Sequence, residues 1–197
     1  MGRAARVRIL LDSHVSIRQR IAIGALAFSA AGIVGLVGYE GYTDRAVIPV
    51  PGDVPTIGPG LTRREDGSPV QMGDKITVPK ALSLSLREVR QFEGAIKRCV
   101  KVPLHQYEYD AYTQLAYNIG GTLFCSSTLV KVLNAGNYDG ACRHIEDFVC
   151  GPATEKTQAL PGEKCYSERK PRKIINGLQN RRARERELCE GKQTEVS

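Results

Sequence analysis

The chain has no Cys-x-x-Cys pair, no His-Glu-x-x-His motif and no cysteine before Cys99. Its three histidines, His14, His105 and His144, stand far apart. These absences exclude the usual Cys/His zinc spacings, so neither a metal nor another cofactor is expected. No acidic tail offsets the formal net charge of +7. An anionic partner is therefore favoured, whether nucleic acid, an anionic membrane surface or an acidic wall polymer. No internal repeat is visible. What is present is a chain of 197 residues, 42% hydrophobic. That suits one domain with a real core and a small lobe attached.

Cys99, Cys125, Cys142, Cys150, Cys165 and Cys189 make an even set with one tight spacing, Cys142 to Cys150. Disulfides in an oxidising compartment fit this pattern, and spacing alone leaves the pairing open. The N-terminus agrees with export. Arg3, Arg6, Arg8, Arg18 and Arg20 face a single Asp12, and no charge follows from residue 21 to residue 39. As one helix that run would be roughly 28 Å long, close to the hydrocarbon thickness of a bilayer. The basic flank would stay cytoplasmic and the remainder would face outward. Gly24, Gly32, Gly35 and Gly38, with Ala22, Ala25, Ala27, Ala30 and Ala31, make the run a weak anchor. A releasable anchor is the reading carried forward. A cleaved signal peptide, cut near Phe28-Ser29-Ala30 or Ala30-Ala31-Gly32, and a core helix are the alternatives.

Proline and glycine crowd residues 40–78 and leave no room for long helices. Ala46–Ile48 and Val54–Ile57 read as short strands joined by a Pro51-Gly52-Asp53 turn. Arg64–Ser68 reads as a second turn, and Lys75–Val78 as a further short strand or the lead into a helix. From Pro79 the spacing is helical. Helices are predicted over 79–100, 106–119, from Ser126 or Ser127 to Leu133, over 138–148 and over 173–189, with Gly120-Gly121 as a stop. Residues 151–173 read as turn-rich and polar. In the last helix Arg181, Arg182, Arg184 and Arg186 alternate with Glu185 and Glu187, which favours intrahelical pairing. The order is an α+β arrangement, a small β-containing lobe and then a mainly helical lobe, with a substrate cleft expected between them. The expected organisation is 1–39 as basic N-terminus plus anchor segment and 40–197 as catalytic domain. The latter divides into a small lobe at 40–78, a helical lobe at 79–190 and a tail at 191–197.

Glu40 is the first charge after the apolar run. Partial burial there would raise its pKa, and a protonated Glu can donate to a leaving oxygen. Read alone, Glu40 is more often an ordinary boundary charge, Thr56 a strand residue and Asp53 a turn former. Glu40-Gly41-Tyr42 followed by Thr56-Ile57-Gly58-x-Gly60 resembles the signature of phage lysozymes of the T4-lysozyme-like glycoside hydrolase family. More specifically, the chain is similar to the endolysins of phages of Gram-negative hosts. Cys99–Leu104 with Gln106, Ala116–Gly120, Phe124-Cys125-x-Ser127-Thr128-Leu129, Asn134–Tyr138 and Gly177–Cys189 extend the likeness over roughly 38–190.

The resemblance implies a lysozyme-like fold. It also implies cleavage of the β-1,4 bond between N-acetylmuramic acid and N-acetylglucosamine in peptidoglycan, for host lysis. Glu40 would be the general acid, Thr56 would position the attacking water, and Tyr39 and Tyr42 would lie beside Glu40. Asn118 would support the structure, and Arg181 or Arg182 would pair near the acid. The family carries an acid between its Glu and Thr. Here Pro49 and Val50 stand there, and Asp53 is the nearest acid in the loop. A lytic transglycosylase, which needs no second acid, is one alternative, and a non-catalytic wall- or nucleic-acid-binding protein is another. Residues 21–39 resemble a signal-anchor-release segment, which implies a form tethered to the host inner membrane and then released to the periplasm. A monomer that binds no nucleic acid is expected. The family pattern suggests Cys99 with Cys189, leaving Cys125 with Cys142 and Cys150 with Cys165.

Overall fold

The computed structural model describes residues 19–40, 42–49, 52–154, 156–165, 167 and 171–192; the side chains of 37–40 fall outside that description. Residues 1–18, 41, 50 and 51 and the tail from 193 also lie outside it.

The apolar run is not one helix. After Arg20 the chain pairs Ile21 with Leu104, makes a 3-10 turn at Ile23–Ala25 and continues without regular structure to Ser29. The first α-helix, α1, then runs Ala30–Glu40. Among the described residues no helix is long and apolar enough to cross a membrane. The break has a local cause. Ser29 Oγ accepts from Gly32 N at 3.0 Å, while Ile33 N donates to Ser29 O. Ser29 thus caps a helix that begins after it, as short hydroxyl side chains do.

The small lobe follows. Strand β1 (Thr43–Val47) pairs antiparallel with β2 (Thr56–Gly58), Thr43 opposite Gly58 and Val47 opposite Thr56. Lys75 makes only an isolated bridge to Arg45. Ala46, Ile57, Leu61, Val70 and Leu84 form the lobe's core. Helix α2 (Val78–Cys99) carries Pro79 in its first turn, where the missing N–H costs nothing. It joins three clusters. Leu84 belongs to the small lobe, Val89 packs with Phe28 and Leu36, and Ile96 enters the main core.

The helical body is built on α3 (Gln106–Ile119), in which every residue from Glu108 to Ala116 is buried. Gly120, at φ 88°, ends it in a conformation that side chains with a Cβ resist. An unforeseen short helix, α4 (Gly121–Ser126), comes next. Ser127 then caps α5 (Thr128–Asn134) by accepting from Val130 N. Helix α6 covers Tyr138–Arg143 and gives way to a 3-10 turn at His144–Asp147, so the helix predicted over 138–148 is split. The segment read as turns holds a second hairpin, β3 (Cys150–Pro152) against β4 (Arg172–Ile174), and α7 begins late, at Asn176, and ends at Cys189. Three-residue strands carry too little alternation to be seen in sequence.

All six cysteines are bridged, as Cys99–Cys125, Cys142–Cys189 and Cys150–Cys165. Only the last matches the expected pairing. Cys99 ends α2, which lies against α4 and hence Cys125; Cys189 ends α7, which meets Cys142 on α6. Helix adjacency overrides the family-based guess. Non-reducing peptide mapping is expected to recover these three pairs. By chain entropy, removing Cys142–Cys189, which spans 47 residues, should cost about 4 kcal/mol. Removing Cys150–Cys165, which spans 15, should cost about 3 kcal/mol, measured by urea unfolding of paired Cys→Ala variants.

Candidate active site

Glu40 is the last residue of α1 and precedes β1 by three positions. It therefore sits at the passage from helical body to small lobe. The Glu40 and Tyr39 side chains lie outside the described residues. Tyr42, exposed, donates from its hydroxyl to Ile76 O at 3.1 Å, tying the entry of β1 to the lead into α2. Thr56 opens β2; half-buried, its Oγ1 reaches Val47 O at 3.5 Å. Asp53 is exposed in the hairpin turn, and its Oδ1 accepts from Val54 N at 2.8 Å. The carboxylate is thus bonded to the backbone N–H of the very next residue. Asp53 and Thr56 thus both belong to the turn end of the hairpin that follows Glu40 in the chain.

Three other predicted residues lie in the body. Asn118 is exposed at the end of α3 and lines a cavity of about 510 Å³ with Leu123, Phe148, Pro152, Arg172 and Leu178. Arg181 and Arg182 both donate to Glu185 Oε1, at 3.0 and 2.8 Å. Arg182 and Glu185 are wholly buried in α7, whose main neighbour is α3. Removing one member of such a pair strands a buried charge, at a cost of about 3–5 kcal/mol. Arg186 pairs with Glu146 and Glu190. The arginines of α7 are therefore engaged within the fold rather than offered as a stripe. Among the described residues no group of three His, Cys, Asp or Glu side chains could hold a metal ion.

Sequence reasoning missed what holds α1. Gln106, Asp110 and Gln114 recur every four residues on α3. Gln106 Nε2 donates to Ala27 O at 2.8 Å and to Asp110 Oδ1 at 3.0 Å. Asp110 accepts from Ser29 N at 3.0 Å and Ser29 Oγ at 2.6 Å. Gln114 Nε2 donates to Gly32 O at 3.1 Å. From α2, Glu93 Oε1 accepts from Phe28 N at 2.8 Å and from the Tyr109 hydroxyl at 2.9 Å. Just before, Arg20 forks onto buried Glu108 at 2.8 Å and covers the Tyr138 ring at 3.5 Å. Gln106, Asp110 and Gln114 at helical spacing on one face of α3 were the available signal.

Glu88 on α2 is half-buried and accepts from the Tyr117 hydroxyl at 3.3 Å; Tyr117 packs beside Phe28, Leu36 and Val89. Burial pushes the Glu88 carboxyl up, against the Tyr117 hydrogen bond and the Arg87 and Arg63 charges. The folded state then holds this proton more tightly than the unfolded chain, so stability falls as pH rises from the ordinary carboxylate range through the raised value. Glu88→Gln keeps an acceptor for Tyr117 without the charge. It should raise Tm more at pH 7 than at pH 4, as read by calorimetry at the two pH values.

Comparison with known proteins bears on the family and the fold. The phage lysozyme family model matches residues 37–185. The chain is 39% identical over 116 residues to the endolysin of Salmonella phage P22, covering 59% of this chain and 79% of that one. It is 32% identical over 160 residues to the SAR-endolysin of Pseudomonas phage phiKMV, covering 81% and 86%. Among solved structures, the endolysin from Escherichia coli O157:H7 phage FAHEc1 superimposes with a TM-score of 0.71 at 32% identity, covering 84% of this chain and 94% of the other.

Proposed function

The chain belongs to the phage lysozyme family, and from that premise we propose a muramidase that opens peptidoglycan during phage-driven lysis, with Glu40 as its general acid. The observation that carries the reading is the place of Glu40, closing a helix fixed to the body and leading directly into the small lobe. The bond cut is the β-1,4 link between N-acetylmuramic acid and N-acetylglucosamine. Glu40 gives its proton to the leaving oxygen, and a water adds at the anomeric carbon from the opposite face. Thr56 positions that water. Asp53 serves as its base when the turn brings the carboxylate within the roughly 6.5–9.5 Å separation of an inverting pair. Tyr39 and Tyr42 flank the acid, Asn118 supports the end of α3, and Arg181 and Arg182 act by fixing α7 against α3.

The catalytic domain is residues 40–197, with a small lobe at 40–78, a helical lobe at 79–190 and a tail at 191–197, and the chain works as a monomer. Residues 21–39 carry it to the host inner membrane and are then released into the periplasm. The support is a run without charge, rich in glycine and alanine, and relatives named SAR-endolysins.

The Asp53 turn favours a second reading. A carboxylate already bonded to its own turn is a poor base, and a transglycosylase dispenses with one, since a sugar hydroxyl attacks in place of water. Digestion of purified peptidoglycan followed by mass spectrometry separates the two. Reducing muramic ends are expected, with activity lost in Glu40→Gln and lowered about tenfold or more in Thr56→Ala; anhydro-muramyl ends would move the assignment to the transglycosylase. Full activity in Glu40→Gln would remove both. In expressing cells the full-length protein is expected with the inner membrane, moving to the periplasm on depolarisation. Recovery of only a chain starting after residue 30 would show cleavage instead.

A further inference from the structure

We propose that Asp110 is a positioning residue for Glu40, acting through Ser29 and the length of α1. This rests on the reading of Glu40 as the acid. Asp110 is 4% exposed, on the stretch of α3 that is buried from Glu108 to Ala116. A buried carboxylate is expensive unless its oxygens are bonded. Both are: Oδ1 takes Ser29 N and Gln106 Nε2, and Oδ2 takes Ser29 Oγ.

Ser29 is the cap of α1, its own Oγ accepting from Gly32 N. Asp110 therefore grips the residue that sets where the helix starts and which way its first turn faces. A negative charge at this end is also favoured by the helix dipole. Eleven residues separate Ser29 from Glu40, a rise of roughly 16 Å. Along it α1 is held at Gly32 O by Gln114 and at Leu36, 1% exposed, by packing. A slip of one residue at the cap turns the far end by about 100°. A general acid displaced by even an ångström loses much of its effect. The two residues just before Ser29 are pinned as well, Phe28 N by Glu93 and Ala27 O by Gln106. Gly32 belongs to the same device: a Cβ there would lie 2.6 Å from the Phe28 ring, so only glycine lets that ring close over the first turn.

Burial raises the Asp110 carboxyl above its ordinary range, with the neighbouring Glu93 adding to the rise; the bonds from Ser29 and Gln106 oppose it. The fold thus favours the protonated carboxyl over the ionised one, while three hydrogen bonds fix where the group sits. Position and stability therefore separate on mutation.

The experiment is steady-state turnover of soluble peptidoglycan fragments by the full chain, with Tm measured on the same samples. The variants are Ser29→Ala, Ser29→Thr, Asp110→Asn and the Ser29→Ala/Asp110→Asn pair. Ser29→Ala and Asp110→Asn should each lower kcat about tenfold, with KM within about twofold of wild type. Asp110→Asn should leave Tm unchanged or raised. Ser29→Thr, which keeps the hydroxyl, should restore most of the turnover, and the double variant should be little worse than either single. Wild-type kcat in Asp110→Asn would overturn the proposal. So would a kcat loss that follows Tm, or a failure of Ser29→Thr to do better than Ser29→Ala. Glu40→Gln run alongside keeps the two readings apart. If it retains activity, the acid assignment fails; if it is inactive while Asp110→Asn is not, only the positioning role fails.

Discussion

The structure depends on how three successive residues, Ala27, Phe28 and Ser29, satisfy their backbone groups as they enter the protein. Their partners are side chains of Gln106, Glu93 and Asp110, supplied by the two helices that make the body's spine. A buried peptide group without a partner costs about as much as a lost hydrogen bond. This stretch can lie against α2 and α3 only because these side chains wait there. From that contact follow the start of α1, its direction and the delivery of Glu40 to the lobe junction.

The same contact bears on the proposed passage through the membrane. Leu26, Phe28 and Leu36 are nearly water-free on the body, each gaining roughly 1.5–3 kcal/mol relative to exposure. A bilayer shelters the same side chains about as well. The apolar term therefore nearly cancels between the two settings. What differs is polar. The Arg20–Glu108 fork and the grip on Ala27 to Ser29 exist only on the body, whereas a spanning helix satisfies its backbone internally. Weak hydrophobicity from four glycines keeps the balance close enough for those contacts to matter.

Helix α2 links the parts by belonging to all three clusters. Its N-terminal half carries Leu84 of the small lobe, its middle carries Val89 against α1, and its end carries Ile96 of the helical core. The α7 arginines, read from sequence as alternating charge, close the other side of α3 through Arg182 and Glu185, both buried. That use of charge inside the fold also explains why a basic chain shows no free stripe on this helix.

Long periodic elements were legible in the residues themselves. Helix α3 begins at Gln106 and ends at Ile119 as its spacing predicts, because apolar periodicity and a glycine stop are local properties. The two-lobe order was legible for the same reason, since proline and glycine forbid long helices between 40 and 78. The family signature named Glu40, Thr56 and their neighbours. The hairpin at Cys150–Pro152 and Arg172–Ile174, the pairing of Cys99 with Cys125, and the refolding of the apolar run into a turn, an irregular stretch and a short helix were not legible. Each is settled by a partner distant in sequence. An uncharged run has the same composition whether lipid or protein covers it, and the Ser29 cap together with the acids of α2 and α3, brought near by folding, decides where its helix begins.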